Sequence, residues 1–164
     1  MPIQMKQAAK ELLDLERLYQ KNVAFGDEQR SRWEACVSRI FGEGNATHGR
    51  RSFRLPGQLP CSVKIGQGVF ECSALEVSRL GMTLAGPILR HITIDHAIEL
   101  LSLIVDGADV AIGLACRVAR LDPSKEPPLV GVAFSPDVTS DQRQRFFDVI
   151  YYPLYMRYLE SLAG

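Results

Sequence analysis

Two short segments concentrate the side chains able to do chemistry. The first is Gly49-Arg50-Arg51-Ser52-Phe53-Arg54, with three arginines in five residues and no nearby acid to neutralise them. Arg50 and Arg54 are four positions apart, so a bent or extended loop could converge both guanidinium groups on one anion. Guanidinium binds phosphate through paired hydrogen bonds, and its flat face stacks on bases. A solvated basic loop would have the same composition. The second segment is Glu76-Val77-Ser78-Arg79-Leu80-Gly81. It places a carboxylate, a hydroxyl and a glycine in a strand-to-strand corner. Glu76 could accept hydrogen bonds from the N1–H and N2–H₂ edge of a guanine, and Ser78 could donate to an oxygen. Glycine at 81 permits a close approach. In an ordinary turn, Ser78 would instead bond its own backbone and Gly81 would meet a dihedral demand.

The rest of the sequence supplies elements to hold these segments. Ala8, Leu12, Leu15 and Tyr19 recur at helical spacing, predicting a helix over about Met5–Asn22. A second helix runs from Asp27, read as its N-cap, to Phe41, with Gly42 as its stop. Trp33 reads as a packing anchor in it. After the glycine-rich stretch Gly42–Gly49 the period changes to two. Leu59–Ile65, Val69–Val77, Gly81–Ala85, Ala97–Val105, Val110–Leu121 and Leu129–Phe134 read as six strands, with Asp106-Gly107 a hairpin turn. Short strands at close intervals argue for an antiparallel barrel or sandwich, and a barrel removes exposed edges. A last helix, capped by Thr139 or Ser140, carries Phe146, Phe147, Ile150, Leu154 and Tyr158 on one face; Pro153 should kink or split it.

In order, these features resemble the PilZ domain family of bacterial cyclic di-GMP receptors. Arg50 to Arg54 matches the family's R-x-x-x-R. Glu76 to Gly81 matches its D/N-x-S-x-x-G, with glutamate where the family has aspartate or asparagine. Gly81-Met82-Thr83-Leu84 and Val130-Gly131-Val132-Ala133-Phe134 resemble the strands that follow. Many members carry a double arginine whose second member starts the first motif; the preceding position here is Gly49, and Arg51 falls one residue off that pattern. The resemblance covers about residues 50–158. It implies a mainly β fold, a six-stranded antiparallel barrel with N-terminal helices and a C-terminal helix, and a ligand draped on the outside. Residues 1–42 would form the helical segment, 43–49 a linker and 50–164 the barrel domain. The resemblance assigns Arg50 and Arg54, with Arg51 beside them, to phosphates and guanine stacking, and Glu76, Ser78 and Gly81 to a guanine edge.

The implied function is a non-enzymatic adaptor in motility, biofilm or polysaccharide control. Cyclic di-GMP is its ligand, no cofactor or metal is required, and an unidentified protein is its partner. Binding would order the Gly42–Arg54 segment and reposition the helices. The alternative is a degenerate adaptor that binds no nucleotide and acts through protein contacts alone; Glu76 and Gly49 favour it.

Composition bounds the other classes. The 164 residues are 46% apolar, with nineteen basic residues balancing nineteen acidic ones. That balance counts against nucleic-acid polymers, including an oligonucleotide-binding barrel that uses the arginines and tyrosines. No apolar run is long enough to span a bilayer, and the N-terminal stretch carries acids where a signal peptide needs an apolar core, which together imply a cytoplasmic protein. The helical stripes must be buried, either on the main domain or in a homo-oligomer. Cys36, Cys61, Cys72 and Cys116 lack zinc-like spacing and read as small hydrophobes. No nucleophile or acid–base pair accompanies His48, His91 and His96, so an enzyme is disfavoured.

Overall fold

A computed structural model describes residues 3–21, 26–42 and 53–164. The expected linker 43–49 lies outside them. The chain forms helices α1 (Ile3–Gln20) and α2 (Asp27–Phe41). Strands β1 (Leu55–Ile65), β2 (Gly68–Val77), β3 (Gly81–Ala85), β4 (Ala97–Val105), β5 (Ala108–Asp122) and β6 (Leu129–Phe134) follow, then helices α3 (Ser140–Phe146) and α4 (Tyr152–Ala163). The six strands close a barrel in the order β1-β2-β3-β6-β5-β4, and every pairing is antiparallel.

Local chemistry explains most of these boundaries. At the β4–β5 hairpin, Asp106 and Gly107 both have positive φ (57° and 75°), as expected for Asp-Gly in a two-residue turn matched to strand twist. β1 begins earlier than its alternating pattern suggests, because a register shift between Pro56 and Leu59 interrupts the alternation. Gly26, rather than Asp27, is the N-cap of α2: its N–H donates to the Gln29 side chain, leaving Asp27 and Glu28 in the first turn where the helix dipole favours acids. Thr139 caps α3 reciprocally with Gln142. Pro87–His91 adds a 3₁₀ turn that the sequence did not announce.

Pro153 splits the last helix as expected, by way of a five-residue π turn at Phe147–Tyr151. A π turn inserts an extra residue and accommodates a proline lacking its N–H. The buried positions run Phe146, Ile150 and Tyr151, then Tyr155, Leu159 and Leu162, with Tyr155 and Leu159 one step beyond the expected Leu154 and Tyr158.

The chain divides into two compact units that do not follow its order. One comprises α1, α2, Phe53 and Tyr152–Gly164; the other is Arg54–Tyr151. The last helix, expected with the barrel domain, is thus shared: α3 belongs to the barrel unit and α4 to the helical one. The barrel core is aliphatic, with Val63, Ala74, Leu84, Leu100, Leu103, Leu114 and Val130 at most 1% exposed. In the helical unit, α1 packs against α2 and α4. Phe53 stacks on Phe41 at 4.4 Å and lies 5.7 Å from Tyr155 and 6.2 Å from Trp33, ring centre to ring centre. Beside this aromatic cluster sits a buried carboxylate. Glu16 is 0% exposed and accepts hydrogen bonds from Trp33 Nε1 (2.8 Å), Tyr152 Oη (2.6 Å) and Tyr155 Oη (3.0 Å). Three donors from α2 and α4 offset its desolvation and tie both helices to α1.

All four cysteines are buried and free. Burial pushes Cys61 and Cys116 up from 9.0 to about 12, and Cys36 to about 11. Folding thus holds these thiols protonated, whereas the unfolded chain loses their protons near pH 9. Stability should be full below about pH 9 and decline as pH rises towards the folded values. In thiol-reagent labelling at pH 8, the native protein should react slowly and the denatured chain at all four cysteines. Glu16→Leu should orphan three donors and lower stability by at least about 2 kcal/mol, with Glu16→Gln milder. Urea denaturation followed through Trp33, the single tryptophan, measures both.

Candidate functional site

The barrel brings the end of the first arginine segment onto the second segment. Arg54 directly precedes β1, and Pro56 pairs with Glu76 on β2. Arg54 Nη1 lies 3.9 Å from Glu76 Oε2, with the two side chains 60% and 42% exposed. An ion pair this open is worth about 0–1 kcal/mol, so a ligand can replace it at little cost. Arg54, Glu76, Ser78 and Gly81 line one surface depression of about 150 Å³. Clefts that engulf a drug-sized molecule run to roughly 300–1,000 Å³, so this one suits a single flat group with the rest of a ligand on the outer wall. Arg50 and Arg51 lie outside the described residues.

The corner between β2 and β3 is made by its own hydroxyl. The Ser78 N–H donates to the Gly81 carbonyl (2.9 Å), as does Ser78 Oγ (3.2 Å), and Ser78 Oγ accepts from the Leu80 N–H (3.2 Å). That is the ordinary turn role of a serine. A ligand group can donate to the remaining lone pair. If the hydroxyl turns outward to donate, the Gly81 carbonyl keeps its bond from the Ser78 N–H. Leu80 is 54% exposed at the tip, and the Arg79 guanidinium lies 4.5 Å above the Phe147 ring.

Gly81 is required by packing. A β-carbon there would sit 2.0 Å from the Val132 carbonyl oxygen and 3.0 Å from Ala133 Cα. The close approach is that of β6, and neither a positive φ nor a ligand is needed to explain the glycine.

The sequence reading missed the far wall. Thr83, Arg120 and Gly131 line the depression together with Glu76. Cross-strand register accounts for this: Glu76 pairs with Thr83, Thr83 with Gly131, and Gly131 with Arg120. The Val-Gly-Val of β6 was legible as a strand. Its pairing with β3 on one side and β5 on the other brings Arg120 in, and that is a property of topology. Among the described residues, no group of three or more histidine, cysteine, aspartate and glutamate side chains is placed to hold a metal ion.

A family model described as "PilZ domain" matches residues 49–152. Among solved structures, the inhibitor of motility of Bacillus subtilis (MotI/DgrA) superposes with a TM-score of 0.51 at 13% identity, over 65% of this chain and 51% of that one. This chain thus spans about half the length of that protein, and the likeness supports the barrel fold. Weaker likenesses are the PilZ domain of CeSA from a cellulose-synthesizing bacterium (TM-score 0.48, 14% identity, 62% of this chain and 98% of that one) and the PilZ domain of Escherichia coli YcgR with c-di-GMP (0.48, 15%, 69% and 96%). No curated protein matches.

Gly81→Ala should force β3 and β6 apart and lower barrel stability by about 1–3 kcal/mol, read as a fall in thermal midpoint. Gly107→Ala is the control for loss of a glycine as such, because its φ of 75° lies in a turn with no atom within 4 Å. It should cost about 1 kcal/mol, from backbone strain alone.

Proposed function

Because the chain belongs to the PilZ domain family, we propose that it is a cyclic di-GMP receptor whose output is a protein contact rather than a reaction. One observation carries this reading: the two segments that the family uses for its ligand converge, with Arg54 beside Glu76 and both lining the depression that Ser78 and Gly81 complete.

The chemistry fits the ligand. A cyclic dinucleotide offers two phosphates and two guanine edges. Arg54 meets a phosphate or the face of a base, and Glu76 accepts from N1–H and N2–H₂ of the guanine in the depression. Arg50 and Arg51, four and three residues ahead of Arg54, add phosphate contacts. Charge-assisted hydrogen bonds are worth roughly 1.5–3 kcal/mol each, so a few of them, less the ordering cost, reach the ~8 kcal/mol of a micromolar complex. Binding alters the surface that the helices offer to a partner. A cytoplasmic location and a role in motility or biofilm control belong to the same proposal. No described helix is long and apolar enough to cross a membrane.

One observation favours the nucleotide-free adaptor instead. The Ser78 hydroxyl is already engaged by Leu80 and Gly81. Calorimetric titration with cyclic di-GMP separates the two. The receptor reading expects saturable low-micromolar binding that Arg54→Ala and Glu76→Ala each weaken about tenfold or more. Absence of heat and of thermal stabilisation at high ligand concentration leaves the adaptor.

A further inference from the structure

We propose that Arg120 reads the guanine held at Glu76, donating its guanidinium fork to O6 and N7 of the base. The inference rests on the receptor reading above and extends its site to the opposite wall.

Three features of the barrel place this side chain. First, Glu76, Thr83, Gly131 and Arg120 form one cross-strand row over β2, β3, β6 and β5. Directly paired residues of adjacent strands point to the same face. Secondly, the row ends in two irregularities: the register shifts between Ala74 and Glu76 on β2, and again between Val118 and Arg120 on β5. A bulge re-aims the side chain beside it. At the second one, consecutive residues Ala119 and Arg120 both face outward. Thirdly, the row is open in the middle. Arg120 lies across Gly131, with its Cβ, Nε and Nη2 only 3.3, 3.4 and 3.5 Å from where a β-carbon would stand. Arg120 thus occupies the space that a side chain at 131 would fill.

The reach of Arg120 brings it to the base. Its Nη2 donates to Thr83 Oγ1 at 3.4 Å, and Thr83 is the cross-strand partner of Glu76. Adjacent strands are about 4.8 Å apart, so the guanidinium reaches to within one strand spacing of the strand that carries Glu76. The bond to Thr83 is longer than the 2.7–3.2 Å of a good N–H···O contact, so exchanging it for a base acceptor costs little.

Guanine suits this pair of opposite charges. Its N1–H and N2–H₂ donate towards a carboxylate, and its neighbouring O6 and N7 accept the arginine fork, the commonest specific arginine–base contact. Adenine offers an amino donor where O6 stands and has no N1–H. With Glu76 on one side and Arg120 on the other, the site selects guanine by the pattern of donors and acceptors.

Calorimetric titration of the full chain with cyclic di-GMP and its 7-deazaguanine analogue, which lacks the N7 acceptor, tests the assignment on wild type, Arg120→Ala, Arg120→Lys and Arg54→Ala. Ligand-free thermal midpoints check that each variant folds. Wild type should bind the analogue about tenfold more weakly than cyclic di-GMP, whereas Arg120→Ala should bind both alike and cyclic di-GMP about tenfold more weakly than wild type. Arg120→Lys should not restore the preference, because an ammonium group lacks the fork. Persistence of the preference in Arg120→Ala, its absence from wild type, or its rescue by lysine overturns the role of Arg120. If Arg54→Ala still weakens binding about tenfold or more in that event, the receptor reading stands. No binding of cyclic di-GMP by wild type overturns both.

Discussion

The barrel closes across a seam that, at one position, has no room for a side chain. β3 and β6 are far apart in sequence, and they meet where Gly81 passes against the Val132 carbonyl. Four hydrogen bonds tie the corner there: Ser78 N–H and Oγ to the Gly81 carbonyl, the Leu80 N–H to Ser78 Oγ, and the Phe134 N–H to the Leu80 carbonyl. Thr83 and Gly131 are paired across the same seam, so the row of residues that forms the depression depends on the closeness that Gly81 allows. Barrel closure and the shape of the depression thus share one backbone contact. The glycine of the second motif has a reason to be glycine before any ligand is considered, and the serine has a reason to be serine.

Much of this was legible in the sequence, for identifiable reasons. Period-two alternation and Asp106-Gly107 specify strands and a hairpin locally, so the six strands could be placed. The two motifs could be paired because a resemblance supplied the spatial link that spacing alone does not. What was not legible depends on pairing over distance. Arg120 is an unremarkable charge on an alternating strand until β5 lies beside β6 and a bulge turns it outward. The final helix shows the same limit: Pro153 announces an interruption, but whether a kink or a π turn results decides whether Leu154 or Tyr155 is buried. Helical periodicity also gave no sign that Glu16, an acid next to Leu15 on α1, would be buried deeper than many of its apolar neighbours.

The helical unit uses polar chemistry where the barrel uses aliphatic packing. An apolar stripe fixes which face of α1 is buried but leaves its axial position loosely set, since leucines slide past one another at small cost. A carboxylate bonded to one indole and two phenols defines that position. Those partners come from α2 and α4, elements separated by the whole barrel sequence. The helical unit is therefore complete only once the last residues of the chain are in place, which makes its contacts long in sequence and the barrel an insertion within it.

The seam between the units runs through the first motif itself, between Phe53 and Arg54. The stretch that carries the family likeness, residues 49–152, contains Phe53 but not Trp33, Phe41 or Tyr155. A fragment cut to those limits for expression would carry a bare phenyl ring next to Arg54, an exposed apolar spot beside the candidate site. Borders drawn by homology would thus separate Phe53 from the hydrophobic socket that receives it.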